Sequence, residues 1–211
     1  MIELDIFSDT VCPWCYIGNK RLKKAINDHK NIEFKQTWRP FQLNPGMPPD
    51  GMDRQEYLIS KFGSADAAKT IYDNIYDEGL LEGINFNFDS IQTTPNSFNS
   101  HRLLALAYKQ GIQENVLDSL FESYFLNGED IGDPNILLDI AIKHQIDAED
   151  FKTYLSDQEN IEPLANEELE ARKMGINSVP TFIVNKQIVI NGAQTSENFD
   201  IIFKKLTSNI N

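Results

Sequence analysis

The ten residues DTVCPWCYIG, starting at Asp9, hold both cysteines of a 211-residue chain and lie between an alternating strand and a helix. Ile2, Leu4 and Ile6 alternate with Glu3, Asp5 and Phe7, the period of a short strand. Pro13 then takes the first helical position, where its missing N–H would have no partner anyway. Leu22, Ala25 and Ile26 carry the helix to about His29, with Lys20, Arg21, Lys23 and Lys24 assigned to its wet side. IEFKQTW follows as a second alternating strand ending near Pro40. Strand, helix and strand in this order open an α/β unit.

This placement gives the two cysteines different chemistry. Cys12 stands at the helix start, where unpaired N–H groups and the helix dipole stabilise a thiolate. Cys15, three residues on, lies one turn away on the same face, within reach of a mixed disulfide on Cys12. The spacing therefore makes a nucleophile and a resolver. A structural zinc needs four ligands and the pair offers two; His29, His101 and His144 fall on separate helices without ligand spacing, so no metal is expected. A passive disulfide over so short a loop would gain little entropy.

Strand signals are confined to the two ends of the chain. LNPGMPPDGMD breaks regular structure between Leu43 and Asp53, and helix signals fill the middle. Asp53 with Glu56 has capping-box spacing, Ser64 caps a helix over Ile71, Ile75 and Tyr76, and Gly79 is read as its stop. Ser97 opens a helix through Leu103, Leu104, Ala107 and Tyr108, and Val116, Leu120, Tyr124 and Phe125 continue the pattern. Asp133-Pro134 and Asp147 start two more. LANEELEARKMG is an acidic helix with Arg172 and Lys173 at its negative end. SVPTFIVNKQIVINGAQ reads as two strands turning at Asn185-Lys186, before a last helix capped by Ser196.

Nineteen Lys and Arg against 32 Asp and Glu give a net charge of -13, which repels phosphate backbones and anionic lipid, so neither nucleic acid nor a membrane is an expected partner. No apolar run reaches the roughly 18 residues of a membrane helix. The N-terminus lacks a secretory signal, and a cytoplasmic location is expected.

These residues carry a resemblance. The strand, CPWC at a helix start, a helical middle and SVPTF before a hairpin resemble the DsbA-like family of thioredoxin-fold oxidoreductases. SDTVCPWCYIG, WRPFQLNP, NSFNSHRL and GINSVPTF look most like its FrnE-like branch. The resemblance implies an α/β fold with a thioredoxin-like core of mixed sheet and flanking helices, built from residues 1–51 and 161–211. Residues 52–160 would form an all-helical insertion. It also implies that Cys12 is the exposed attacking thiol and Cys15 the shielded one. Pro180 would be cis beside them, and Val179 would offer backbone hydrogen bonds to a bound peptide. Trp14 replaces the histidine of the periplasmic oxidases, which predicts a less oxidising protein, and is read as an exposed apolar contact for substrate. Thr181 is read as structural, and Trp38, Arg39 and Phe41 as anchors of the strand end against the insertion.

The function expected is thiol-disulfide exchange or isomerisation on protein or small-molecule thiols and disulfides. No bound cofactor is expected; glutathione or a thioredoxin would return the electrons. Two other readings exist. Related 2-hydroxychromene-2-carboxylate isomerases and kappa-class glutathione transferases share the segment around His101, which could line a cleft or simply form structural hydrogen bonds. Those relatives typically have serine at the position of Cys12, so the retained pair favours redox chemistry. A non-enzymatic adaptor would leave the cysteine-proline arrangement without purpose.

Overall fold

The structure, a computed structural model, describes residues 1–208. Its main sheet has the order β2-β1-β5-β6. Strand β1 (Ile2–Ser8) lies parallel to β2 (Phe34–Pro40), with Ile6 opposite Trp38, and α1 (Pro13–Asp28) makes the crossover that a parallel pair requires. On its other side β1 runs antiparallel to β5 (Thr181–Val184), which pairs with β6 (Ile188–Asn191). The β5-β6 turn puts Asn185 and Lys186 at φ of 49° and 58°, the left-handed pair of a tight hairpin.

Both faces of β1 are covered. Leu4 and Ile6 join Leu22 and Ala25 of α1 and Phe199 and Phe203 of α9 (Ser196–Ser208). Phe7 points the other way, into a smaller cluster with Phe41, Ala171 and Ile176, where α8 (Ile161–Lys173) packs. The strand thus buries alternate residues on opposite sides, as its period of two dictates.

Between Met52 and Ser156 the chain forms α2 (Arg54–Phe62), α3 (Ala65–Leu81), α4 (Phe98–Lys109), α5 (Gln113–Phe125), α6 (Pro134–Lys143) and α7 (Ala148–Ser156). The caps are local chemistry. Asp53 accepts the N–H groups of Gln55 and Glu56, Ser64 that of Ala67, Asp133 that of Asn135, and Asp147 those of Glu149 and Asp150. Tyr16 of α1 stacks on Phe121 of α5 with ring centroids 4.9 Å apart, so one apolar cluster runs from the sheet into these helices.

Several local expectations change. The segment is not wholly helical: β3 (Met52–Asp53) and β4 (Thr93–Thr94) form a two-residue antiparallel ladder. Gly79 does not stop α3 but sits inside it, because a Cβ there would collide with the Phe86 ring. Ser97 precedes α4 without a capping side-chain bond, and at α9 it is Thr195 Oγ1 that accepts an N–H, from Asn198 at 3.3 Å. Arg21 is not on a wet face but 7% exposed, paired with α3 carboxylates. Arg39 and Phe41 engage α8 rather than the insertion, through Glu167 at 2.7 Å and through Arg172 lying 4.1 Å over the Phe41 ring. Trp38 does reach the 52–160 segment, its backbone N–H donating to Gln113 Oε1 at 2.9 Å.

Candidate active site

The polar run Ser8, Asp9, Thr10 ends β1 and turns the chain into α1. Cys12 is the residue before the helix, with extended φ and ψ of -97° and 112°, and Pro13 opens the first turn. No side chain caps this end, and Pro13 brings no N–H to it. Cys15 N–H donates to the Cys12 carbonyl at 3.0 Å, which places the second thiol one turn into the helix. Both thiols are free.

Burial separates them less than expected. Cys15 is fully buried, but Cys12 is also only 3% exposed. Cys12 Sγ lies 3.9 Å from the Val179 carbonyl, so the 179–180 loop stands against the sulfur. Trp14 is half-buried against the core rather than free on the surface.

The Val179–Pro180 peptide bond is cis, Val179 is half-buried and Pro180 buried. Gly18 permits this approach: a Cβ there would stand 3.1 Å from Pro180 Cγ. Thr181 Oγ1 donates to the Ser178 carbonyl at 2.8 Å and to Asn191 Oδ1 at 3.1 Å, so its hydroxyl serves the hairpin.

Burial pushes the Cys15 thiol well above the ordinary thiol range, the adjacent Cys12 adds to this, and the Ser8 hydroxyl and Asp9 backbone pull partly back. Near neutral pH this thiol is held in its protonated, unreactive form. The effect has a sign in stability. The folded protein holds the Cys15 proton where an unfolded chain releases it, so the contribution is intact below the ordinary thiol value, about 8.5, and is lost as pH rises above it. In urea titrations between about pH 8 and 10, reduced wild type is expected to lose up to about 1.4 kcal/mol per pH unit more than Cys15→Ser. Parallel pH profiles for the two proteins would contradict this.

Two residues that sequence reasoning left without a role belong to the site. Asp9 is completely buried, its Oδ2 accepting the Leu43 N–H at 2.7 Å, while its carbonyl accepts the Cys12 N–H at 3.2 Å. Ser100 Oγ lies 2.6 Å from Thr10 Oγ1, joining α4 to the same loop. The available signal was a polar triplet directly after an apolar strand, where buried side chains must find backbone partners.

The model for the DSBA-like thioredoxin domain matches residues 3–203. The chain belongs to the DsbA-like thioredoxin family. The SCO1869 protein of Streptomyces coelicolor, described as a probable DsbA oxidoreductase, is 28% identical with a TM-score of 0.87, over 97% of this chain and 89% of that one. The uncharacterised YwbO protein of Bacillus subtilis is 26% identical over 94% of each chain. DsbM of Pseudomonas aeruginosa, described as a cytosolic disulfide reductase and solved with GSH, shares the fold at 16% identity, with a TM-score of 0.67 over 98% of this chain and 99% of that one.

Within this DsbA-like protein the three histidines serve separate places. His29 Nε2 lies 2.8 Å from Asp200 Oδ1, His144 Nε2 lies 2.8 Å from Ser119 Oγ, and His101 faces Asp9. Among the described residues no three His, Cys, Asp or Glu side chains group as a metal site, and no helix is long and apolar enough to cross a membrane. A cavity of about 540 Å³ opens beside Arg54, Tyr72, Phe86 and Phe88, and its walls include neither cysteine.

Proposed function

We propose that this protein is a dithiol-disulfide oxidoreductase working through Cys12 and Cys15 on protein or small-molecule disulfides. The observation that carries the reading is the free pair itself, with Cys12 at the open N-terminus of α1 and Cys15 one turn inside. In the reductive direction the Cys12 thiolate attacks a substrate disulfide, forming a mixed disulfide and releasing one substrate thiol. Cys15 gives up its proton and attacks the Cys12 sulfur, releasing the second thiol and leaving a Cys12–Cys15 disulfide. Two electrons have passed to the substrate, and two external thiols, from glutathione or a thioredoxin, restore the pair. Run backwards, the same steps oxidise a substrate dithiol; in isomerisation another substrate thiol, rather than Cys15, attacks the mixed disulfide and returns Cys12 reduced.

The cis Pro180 and the Val179 backbone beside Cys12 are read as the edge on which an extended substrate aligns. Trp14, half-buried next to the pair, supplies apolar contact there. The absence of a histidine between the cysteines removes one group that stabilises a thiolate, so the pair is assigned a reducing role in the cytoplasm. The description of DsbM as a cytosolic reductase supports that assignment.

A redox titration against glutathione, read by thiol alkylation and mass spectrometry, tests the reading. The pair is expected to form one reversible disulfide with a potential clearly more negative than the roughly -120 mV of strongly oxidising DsbA. No reversible Cys12–Cys15 disulfide at any glutathione ratio would refute the function, and a potential near the oxidising end would refute the direction.

A further inference from the structure

Two neighbouring residues of α4 grip two neighbouring residues of the loop that delivers Cys12. Ser100 holds Thr10 through their hydroxyls, and His101 meets Asp9. The imidazole is 3% exposed, and its Nε2 stands 3.4 Å from Asp9 Oδ1 with no hydrogen-bond partner. The backbone N–H of His101 donates to the Ser97 carbonyl at 3.1 Å, holding the residue in the first turn of α4.

Asp9 needs this neighbour. Its carboxylate is fully buried and accepts two N–H groups, from Leu43 at 2.7 Å and from Val11 at a long 3.4 Å. That is thin compensation for a buried negative charge. His101 is the one basic side chain within ion-pair distance of it among the described residues. The other charged and titratable groups nearby do not help. Cys12, Cys15 and Tyr57 of α2 offer no positive charge, and burial raises both the Cys15 thiol and the Tyr57 phenol. Glu168 of α8 is held by Arg172, which is spent on that carboxylate and on the Gln42 carbonyl. Arg102 points away, to the carbonyls of Tyr154 and Asp157.

We propose that His101 is a positioning residue for thiol exchange: it is the basic side chain set against buried Asp9, and it keeps that carboxylate from standing as a bare negative charge in the loop where the Cys12 thiolate must form. The inference rests on the redox reading of the cysteines. It gives a purpose to a buried histidine that the exchange chemistry does not otherwise use. The path is short, since the Asp9 carbonyl takes the Cys12 N–H and the Asp9 backbone also faces the Cys15 sulfur.

The test is the pH profile of iodoacetamide alkylation at Cys12, measured in a Cys15→Ser background so that one thiol reports and no turnover is needed. His101→Ala is expected to move the profile up by about one pH unit, which is about tenfold slower labelling at pH 7. His101→Gln, which fills the space and can donate to Asp9 but carries no charge, should shift it almost as far. In an Asp9→Asn background neither change should matter, because the charge to be neutralised has gone. Rescue by His101→Gln, or equal shifts with and without the Asp9 carboxylate, would overturn the proposal in favour of a packing role. Should His101→Ala fail to fold, the His101→Gln pair of measurements decides alone. A wild type that exchanges with glutathione while His101→Gln leaves the profile unmoved refutes this inference only; a wild type with no reversible disulfide refutes the reading beneath it.

Discussion

Cys12→Ser is expected to reduce disulfide exchange to the uncatalysed background, whereas Cys15→Ser should accumulate a mixed disulfide with one glutathione per chain. The asymmetry follows from position. Cys12 stands at the uncapped N-terminus of α1 and lies 3.9 Å from the Val179 carbonyl. A thiolate formed there meets partial positive charge from the helix end. Cys15 is sealed in the first turn, and burial raises its thiol, so it meets an attacked Cys12 sulfur more readily than a substrate from solvent. Without Cys15 the first step still occurs and the second cannot, leaving the adduct on Cys12. Intact-mass spectrometry after incubation with oxidised glutathione checks both halves. Equal trapping by the two variants would remove the division into nucleophile and resolver, and trapping by Cys12→Ser alone would reverse it.

The parts of this architecture written in local chemistry could be read from the sequence. The β1 alternation, Pro13 at the start of α1, the caps at Asp53, Ser64, Asp133 and Asp147, and the Asn185-Lys186 turn all depend on residues a few positions apart. The order strand, cysteine pair and helix located the thiols for the same reason. What escaped was set by distant partners. Arg21 looks like one more lysine-rich surface position until α3, 57 and 61 residues away, brings two glutamates onto it. Gly79 looks like a helix stop until Phe86 needs the space. Cys12 was expected to be exposed because the family resemblance implies an exposed attacking thiol; the Val179 carbonyl, 167 residues away, stands against it. Thr10 and Ser100, 90 residues apart, show why the site's polar support was invisible: each is an ordinary small hydroxyl until α4 docks.

Arg21→Met is expected to cost about 2–3 kcal/mol of stability, less than the full loss of a sealed ion pair because one partner is partly solvated. The guanidinium Nε donates to Glu82 Oε1 at 2.7 Å, Nη2 to Glu78 Oε2 at 2.5 Å and Nη1 to the Ala193 carbonyl at 2.7 Å. Its side chain is 8% exposed, against 16% for Glu82 and 41% for Glu78. Burial works against its charge, but the bonds to Glu82 and Glu78 outweigh this and raise its pKa above the usual arginine value. Methionine keeps much of the apolar stem and strands two carboxylates and a carbonyl. Urea denaturation at neutral pH should show a lower midpoint with an unchanged slope. Arg21→Lys should recover only part of the loss, since one ammonium cannot reproduce a three-way fork. The same arginine reaches the site. Ala193 follows Gly192, whose N–H donates to the Pro180 carbonyl at 2.8 Å, so Arg21 ties α1 at once to α3 and to the chain beside the thiols. Cys15 should therefore alkylate faster in native Arg21→Met than in wild type. A stability loss below about 0.5 kcal/mol would mean the fork behaves as a surface pair. A full loss with unchanged Cys15 labelling would show that this network holds the helices together without controlling access to the dithiol.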